Sequence, residues 1–495
     1  MRIHRPIGLL LLTAVLFGTG CKPSPPAYET RWRFVGGTTL TLQTNAPALH
    51  DALTLPESMA LRGPLLTNAA RVLWQLASGS SNAPAEALAA AQPLVADLAD
   101  RLSIGETMVP AGGGREFALA LQGDAAHAQT WQAAWPKFFS AAQAARGGTA
   151  GKPQVAFLSG WIVAVSDSAL ITPEAVLKSL AQIPAEPQVV LYVDEKIPGW
   201  PAGVFSASVR DGAVRSKLKL TLADALPAKL PAWKLPPFIR DPLVQFAAAR
   251  GIAPWLETLP TLGPVFQASP PSQLFLWGYS DVSLQTYVAA LSDNPEKLVN
   301  RVHDELKDVF QPGQLLGRLE YEPEPPALAI TGLPAAFPVL NAPHTNEAAY
   351  AMLSIFPPKR LMTPPPKELL DQLQRDNLLY YDWEISAAAV PHWNAFRQLN
   401  QIVHLRPLNG RLPGQKWLTT LTPRLGNCAT EALVTGEHEL SFTRSSSIGL
   451  SSLELTEFVW WLDAPNLVRP ARPPAKNRGT AGSPKPRATQ PLPHK

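Results

Sequence analysis

The stretch that decides the fold is QVAFLSGWIVAV, residues 154–165. Two apolar runs, 155–158 and 161–165, lie on either side of Ser159 and Gly160. A two-residue break of this kind between apolar runs is the sequence signal of a β-hairpin. The sequence therefore predicts two antiparallel strands that are joined by a tight turn.

The segment before this hairpin predicts a strand followed by a helix. Residues 117–121 alternate as a strand does and follow a turn of three glycines. After them, Trp131, Trp135, Phe138 and Ala142 recur at helical spacing, which predicts a helix with an aromatic core face. The order of elements is strand, helix, strand, strand.

The same order recurs twice along the chain. A second copy is predicted as a strand at 273–279, a helix that starts at Asn294-Pro295, and strands at 315–321 and 327–331. A third copy is predicted as a strand at 378–385, a helix through Trp393 and Phe396, strands at 428–434 and 439–443, and a last helix at 452–462. The predicted fold class is α+β, with several strand–helix–strand–strand units and mainly antiparallel sheets packed against helices.

This order resembles a family of exported bacterial proteins that are built from repeated strand–helix–strand–strand units. The hairpin at 157–163 has a close counterpart in form in that family, and the resemblance extends over residues 150–350. It implies the fold, and it brings no activity because the family has none assigned.

The first twenty residues predict an export signal. Arg2 and Arg5 make a basic start, residues 7–17 are apolar, and the small residues 18–20 precede Cys21. This pattern resembles a bacterial lipoprotein signal, which implies that Cys21 becomes the lipidated N-terminus. Gly18 stands where that family usually has leucine, so ordinary cleavage and a free secreted protein stay open as the alternative.

The resemblance also implies a location in the cell envelope. Acyl chains on Cys21 hold a protein to a bilayer. Lys22 follows the cysteine, whereas an aspartate at this place retains lipoproteins of enteric type at the inner membrane. The expected location is therefore the outer membrane if the cell has two membranes.

Composition divides the chain into six segments. About a tenth of the chain is proline, 52 of 495 residues, and proline-dense stretches predict connectors on the surface. We expect a signal peptide at 1–20, a linker after the lipidated cysteine at 21–30, α+β regions at 31–225, 226–345 and 346–465, and a basic Pro-rich disordered tail at 466–495.

Charge is unevenly placed among these segments. The formal net charge is +4, of which the signal carries +2 and the tail +7, so residues 21–465 carry −5. The tail is either a solvated extension or a contact to an envelope protein or an anionic polymer. The expected partners are thus a membrane, through lipid on Cys21, and a ligand of the tail. We expect no nucleic-acid partner for an exported chain.

The motif search predicts no cofactor and no metal. His438-Glu439 is the nearest approach to a zinc-binding His-Glu-x-x-His pattern, but Phe442 stands where the second histidine is required. Nucleophile-elbow, phosphate-loop and dinucleotide-binding patterns are absent from the sequence. Cys428, in a predicted strand, is interpreted as a small buried residue and not as a nucleophile.

The weak catalytic candidates are Asp382 and Glu384, within YYDWE at 380–384. On a strand they share one face, and glycoside hydrolysis needs a carboxylate pair. The segment looks like the Asp-Trp-Glu end of the chitinase-type signature, although the acids and the glycine that precede it there are missing. The alternative, which we favour, is a half-exposed strand with both acids outward and Trp383 in the core.

These observations predict a lipid-anchored cell-envelope protein that acts without catalysis, as a scaffold or binding protein. Two other functions stay open. An envelope glycan hydrolase would need Asp382 and Glu384 in a cleft, and a carrier of apolar cargo would need an internal apolar cavity of several hundred Å³.

Overall fold

The structure is a computed structural model. It describes residues 28–34, 46–101, 107–109, 111–112, 118–147, 151–169, 172–180, 189–193, 202–227, 229–258, 263–266, 270–279, 284–307, 310, 316–334, 336–345, 347–356, 363–404 and 412–463. The predicted signal peptide, Cys21 and the predicted tail lie outside these residues.

Nineteen strands of the described part form one sheet, and every pairing between them is antiparallel. The strands are β1 (Tyr28–Phe34), β2 (Thr107–Val109), β3 (Ala111–Gly112), β4 (Ala118–Gln122), β5 (Gln154–Leu158), β6 (Trp161–Val165), β7 (Val189–Val193), β8 (Ala202–Arg210), β9 (Ala213–Thr221), β10 (Leu243–Arg250), β11 (Gln273–Tyr279), β12 (Thr286–Leu291), β13 (Arg318–Pro323), β14 (Pro326–Thr331), β15 (Val339–Asn341), β16 (Tyr350–Ser354), β17 (Leu378–Ile385), β18 (Asn427–Gly436) and β19 (Glu439–Ser446).

The helices of the described part are mostly short. They are α1 (Pro47–Thr54), α2 (Pro56–Ser78), α3 (Ala85–Arg101), α4 (Ala125–Arg146), α5 (Pro173–Leu180), α6 (Ala253–Thr258), α7 (Gly263–Phe266), α8 (Pro295–Leu306), α9 (Lys367–Gln372), α10 (Ser386–Val403), α11 (Pro413–Leu421) and α12 (Ser452–Asp463). None of the described helices is both long enough and apolar enough to span a bilayer.

The sheet joins parts of the chain that are far apart in sequence. Across it the strands pair in the order β5-β6-β4-β2-β1-β7-β8-β9-β19-β18-β17-β10-β11-β12-β16-β15-β14-β13, and β3 pairs with the other end of β1. β9 thus lies beside β19, and β10 beside β17. Strands from the three predicted α+β regions therefore share hydrogen bonds.

The first predicted unit is confirmed as β4-α4-β5-β6. Ser159 and Gly160 both have positive φ, 50° and 80°, which is the primed turn that suits the twist of a hairpin. The aromatic face of α4 is buried with Trp74 of α2 in one core, and Phe138 packs edge-on against the Trp74 ring at 6.1 Å. The alternation at 117–121 and the helical spacing at 131–142 thus each predicted the type of element that forms here.

All four predicted elements of the second unit are present, as β11, α8, β13 and β14, but three further strands were not predicted. The strand that precedes α8 is β12, which lies between β11 and the helix, and two further strands, β15 and β16, follow β14. Every residue of β12 except Val288 is buried. A strand buried on both faces has no alternation of polar and apolar residues, so its sequence gives no strand period.

The third unit is confirmed with one helix added, as β17-α10-α11-β18-β19. α10 lies against β10, β17 and β18, and α12 packs on α10, α11 and α2. Asn68 of α2 donates a 2.8 Å hydrogen bond to the carbonyl of Trp461 in α12. This helical layer covers the face of β17 that carries Asp382 and Glu384.

Candidate functional site

Asp382 and Glu384 lie on the central strand of the third unit. Asp382 is directly opposite Thr430 of β18 and Ala247 of β10, and Glu384 is opposite Cys428. The period of two along β17 places both acids on one face, as the sequence predicts. That face is turned toward the helical layer and not toward solvent.

Glu384 is locked by hydrogen bonds at the start of α12. The backbone N–H of Ser452, the first residue of this helix, donates to one carboxylate oxygen of Glu384 at 2.6 Å, and the Ser452 hydroxyl donates to the other. The Ser386 hydroxyl adds a third bond at 2.8 Å. A carboxylate at a helix N-terminus satisfies an otherwise unpaired N–H and complements the helix dipole.

A second acid, Glu454, ties the same helix to β19. Glu454 accepts hydrogen bonds from the Arg444 guanidinium at 2.5 Å and from the Ser451 backbone N–H at 2.9 Å. The Ser451 hydroxyl in turn accepts the N–H of Glu454, so these two residues form a capping box. Arg444 also donates to Thr430 at 2.9 Å. We name Asp382, Glu384, Glu454 and Arg444 the carboxylate cluster.

Burial controls the ionisation of the carboxylate cluster. Burial and the nearby charge of Glu384 raise the pKa of Asp382 to about 7. Burial also raises the pKa of Glu384, although the hydrogen bonds from Ser452 work in the other direction. Burial disfavours the Arg444 cation, but Glu454 beside it holds the pKa of Arg444 above its ordinary value. Burial and the charge of Glu384 thus favour the protonated form of Asp382 around neutral pH.

The expectation that both acids point outward is therefore wrong. Glu384 is only 4% exposed, and Asp382 is half-buried and accepts a 3.2 Å hydrogen bond from the Tyr380 hydroxyl. Trp383, on the other face, is partly buried against the core that contains Phe246. The strand is covered on both faces because α10 and α12 pack on one side, which the local sequence of β17 does not show.

Cys428 is buried beside the carboxylate cluster. Its side chain is 1% exposed and free of any disulfide. Burial and the charge of Glu384 raise the pKa of the Cys428 thiol. Because the thiolate is the reactive form, Cys428 has neither the ionisation nor the access that a nucleophile needs, in agreement with its interpretation as a buried residue.

An open cleft of about 390 Å³ lies on the opposite face of the same sheet. Its floor includes a row of directly paired residues on β8, β9, β19, β18 and β17, which are Ser206, Lys217, Thr443, Glu431 and Tyr381. The side chains of the next row, through Arg444 and Asp382, alternate toward the other face, although Thr430 and Arg444 of this row still border the cleft. Asp382 and Glu384 therefore do not line this cleft.

The cleft carries a surplus of positive charge. Arg210, Arg215 and Lys217 are exposed on β8 and β9 and line the cleft. Arg215 pairs with Asp211 at 2.9 Å, whereas Arg210 and Lys217 form no ion pair with another described residue. Glu431 is held at 2.7 Å by Arg375, so its charge is already matched. We name this surface the cationic cleft.

Neither the hairpin that carries these cations nor the capping box is among the elements predicted above, although a local signal marks each of them. Asp211-Gly212 joins β8 to β9 with positive φ at both residues, 53° and 75°, and Asp-Gly is a strong hairpin signal. The spacing Ser451-x-x-Glu454 is likewise the signature of a capping box. The Asp-Gly pair and the Ser-x-x-Glu spacing can both be identified from the sequence alone.

Comparison with known proteins adds no assignment to these two sites. Among the residues that the structure describes, no three His, Cys, Asp or Glu side chains are placed to hold a metal ion together. The chain matches no family model, no curated protein and no solved structure.

Proposed function

We propose that this chain is a lipid-anchored protein of the cell envelope that acts by binding, without catalysis. The anchor is the acylated Cys21, and the leader before it directs export. The large antiparallel sheet is the working part of the molecule. It presents the cationic cleft on one face and is braced by α10 and α12 on the other.

The observation that carries the proposal is the placement of Asp382 and Glu384. A glycoside hydrolase needs two carboxyl groups that reach a glycosidic bond from the same cleft. Here Glu384 is held by Ser452 and Ser386 beneath α12, and the open cleft lies on the other face of the strand. The geometry favours a structural role for the pair, which fastens a helix to the sheet.

The cleft itself favours binding over the carriage of apolar cargo. Its lining includes serine, threonine and charged side chains together with Tyr381 and Ala429. An apolar ligand would leave these polar groups without partners, which is unfavourable. A polar ligand could replace their water with direct hydrogen bonds.

Two measurements, one on cell fractions and one on purified protein, test the proposal. In the first, membranes are separated from soluble fractions for the wild type and for Cys21→Ala. We expect the wild type in the membrane fraction and the variant in the soluble fraction, since the acyl chains supply the attachment. A variant that stays with the membrane would contradict the anchor.

The second measurement asks whether the body is an enzyme. Purified wild-type protein and Asp382→Asn are incubated with peptidoglycan and other envelope polysaccharides, and the release of reducing ends is followed. We expect no release above the blank in either sample. Release by the wild type that is lost in Asp382→Asn would overturn the non-catalytic proposal.

A further inference from the structure

We infer that the cationic cleft binds an anionic glycan, a sugar chain with carboxylate groups, laid across strands β8, β9, β19, β18 and β17. This inference deepens the proposed function and rests on it, because it names the ligand class of a protein proposed to act by binding. It places that ligand on the folded body and not on the basic tail.

Charge is the first argument. Residues 21–465 carry a net charge of −5, yet Arg210, Arg215 and Lys217 gather within one cleft of this negative body. Arg210 and Lys217 form no ion pair with any other described residue, and Glu431 is already matched by Arg375. A concave site lined by one sign of charge focuses the field and attracts the opposite charge.

The side chains between the cations are the second argument. Four hydroxyl groups line the same cleft, from Ser206, Ser208, Thr443 and Ser445, of which the Thr443 hydroxyl already donates to Glu431 at 3.0 Å. Hydroxyl groups both donate and accept hydrogen bonds, as sugar hydroxyls do. Tyr381 lines one end of the cleft and is half-buried, packed against the core that contains Phe246. A small anion such as free phosphate would pair with the cations and would leave these hydroxyl groups without a ligand partner.

The extent of the cleft is the third argument. Neighbouring strands lie about 4.8 Å apart, so a row over five strands spans about 19 Å. That length suits an oligomer better than a single small anion.

The experiment measures binding of oligogalacturonate, a carboxylate-bearing sugar oligomer, to the mature chain with Cys21→Ala so that no acyl chain contributes. Neutral dextran oligomers of equal length and vesicles of anionic phospholipid are the comparison probes. Titration calorimetry at low and at physiological ionic strength gives the dissociation constants. We expect binding to oligogalacturonate that weakens with salt, and no comparable binding to dextran.

A matched pair of charge reversals locates the site. Lys217→Glu lies in the cleft, whereas Lys137→Glu changes the net charge equally on the exposed side of α4. We expect about tenfold weaker binding for Lys217→Glu, from the usual contribution of one cation near an anionic surface and the added repulsion. Lys137→Glu should bind as the wild type does, and circular dichroism confirms that both variants fold.

Four outcomes would overturn the inference. They are no binding of the acidic oligomer, equal binding of dextran, equal weakening by both reversals (which would assign binding to the tail or to overall charge), and binding of vesicles without binding of the oligomer. None of them depends on where the wild type resides in the cell. Failure here and failure of the membrane anchor are therefore read separately.

Discussion

The sharpest prediction concerns the pH dependence that Asp382 imposes on stability. The perturbation is Asp382→Asn, which keeps the shape of the side chain and removes its titration. In the folded chain the pKa of Asp382 is raised from 3.8 to about 7 by burial and by the charge of Glu384. The unfolded chain exposes this carboxyl and loses its proton near the ordinary value.

The sign follows from proton linkage. Between pH 4 and pH 7 the folded state holds a proton that the unfolded state has lost, so the free energy of unfolding falls as pH rises through this window. Above pH 7 both states are ionised and this contribution is constant. One pH unit corresponds to about 1.4 kcal/mol. From pH 5 to pH 7, Asp382 should therefore remove about 2 kcal/mol of stability from the wild type.

The assay is urea unfolding at constant temperature, followed by tryptophan fluorescence, at several pH values between 5 and 8. The quantity of interest is the difference in unfolding free energy between Asp382→Asn and the wild type, because groups outside the carboxylate cluster titrate equally in both. It should grow by about 2 kcal/mol in favour of the variant from pH 5 to pH 7. Asp224→Asn, at an exposed position, is the matched control and should show no such growth. A difference for Asp382→Asn that stays flat over this range would refute the reasoning.

Three further predictions follow from the described contacts. Glu384→Ala should lower the free energy of unfolding by about 3 kcal/mol, because buried donors on Ser452 and Ser386 lose their acceptor. A loss below about 1 kcal/mol in urea unfolding would show that these hydrogen bonds contribute little to stability. Cys428, made the sole thiol by Cys21→Ala, should react with a thiol reagent only after unfolding, and rapid labelling of the folded chain would contradict its burial. Ser159→Asn should stabilise the chain by about 0.5 kcal/mol, since Asn-Gly suits the two positive φ values of this turn; a lower melting temperature would count against it.

Local sequence signals predicted the first and third units well. The break at Ser159-Gly160 marks a turn because two residues with positive φ suit a tight hairpin. The spacing of Trp131 and Phe138 marks a helix face because one face of α4 is buried and the other is not. Asn294 caps α8 by accepting the N–H of Lys297 at 2.9 Å, as the Asn-Pro pair predicts. Such signals depend on a few neighbouring residues, so they can be identified without knowledge of the rest of the chain.

What the sequence could not reveal depends on contacts between distant segments. The burial of Glu384 requires Ser452, which is 68 positions away along the chain. The cationic cleft exists only because β9 pairs with β19, and their paired residues are more than 200 positions apart. No local pattern specifies which strands become neighbours in a sheet of this size. A catalytic role for YYDWE could not be judged from the sequence for the same reason, because the strand alone does not show which segments cover it.

We propose that this body works at a membrane surface, where acyl chains on its mature amino terminus hold it. Mass spectrometry of the N-terminal peptide, from protein purified out of membranes, tests it most directly. We predict a peptide that begins at Cys21 with acyl chains on that residue. A peptide that begins elsewhere, or an unmodified Cys21 thiol, would contradict the claim.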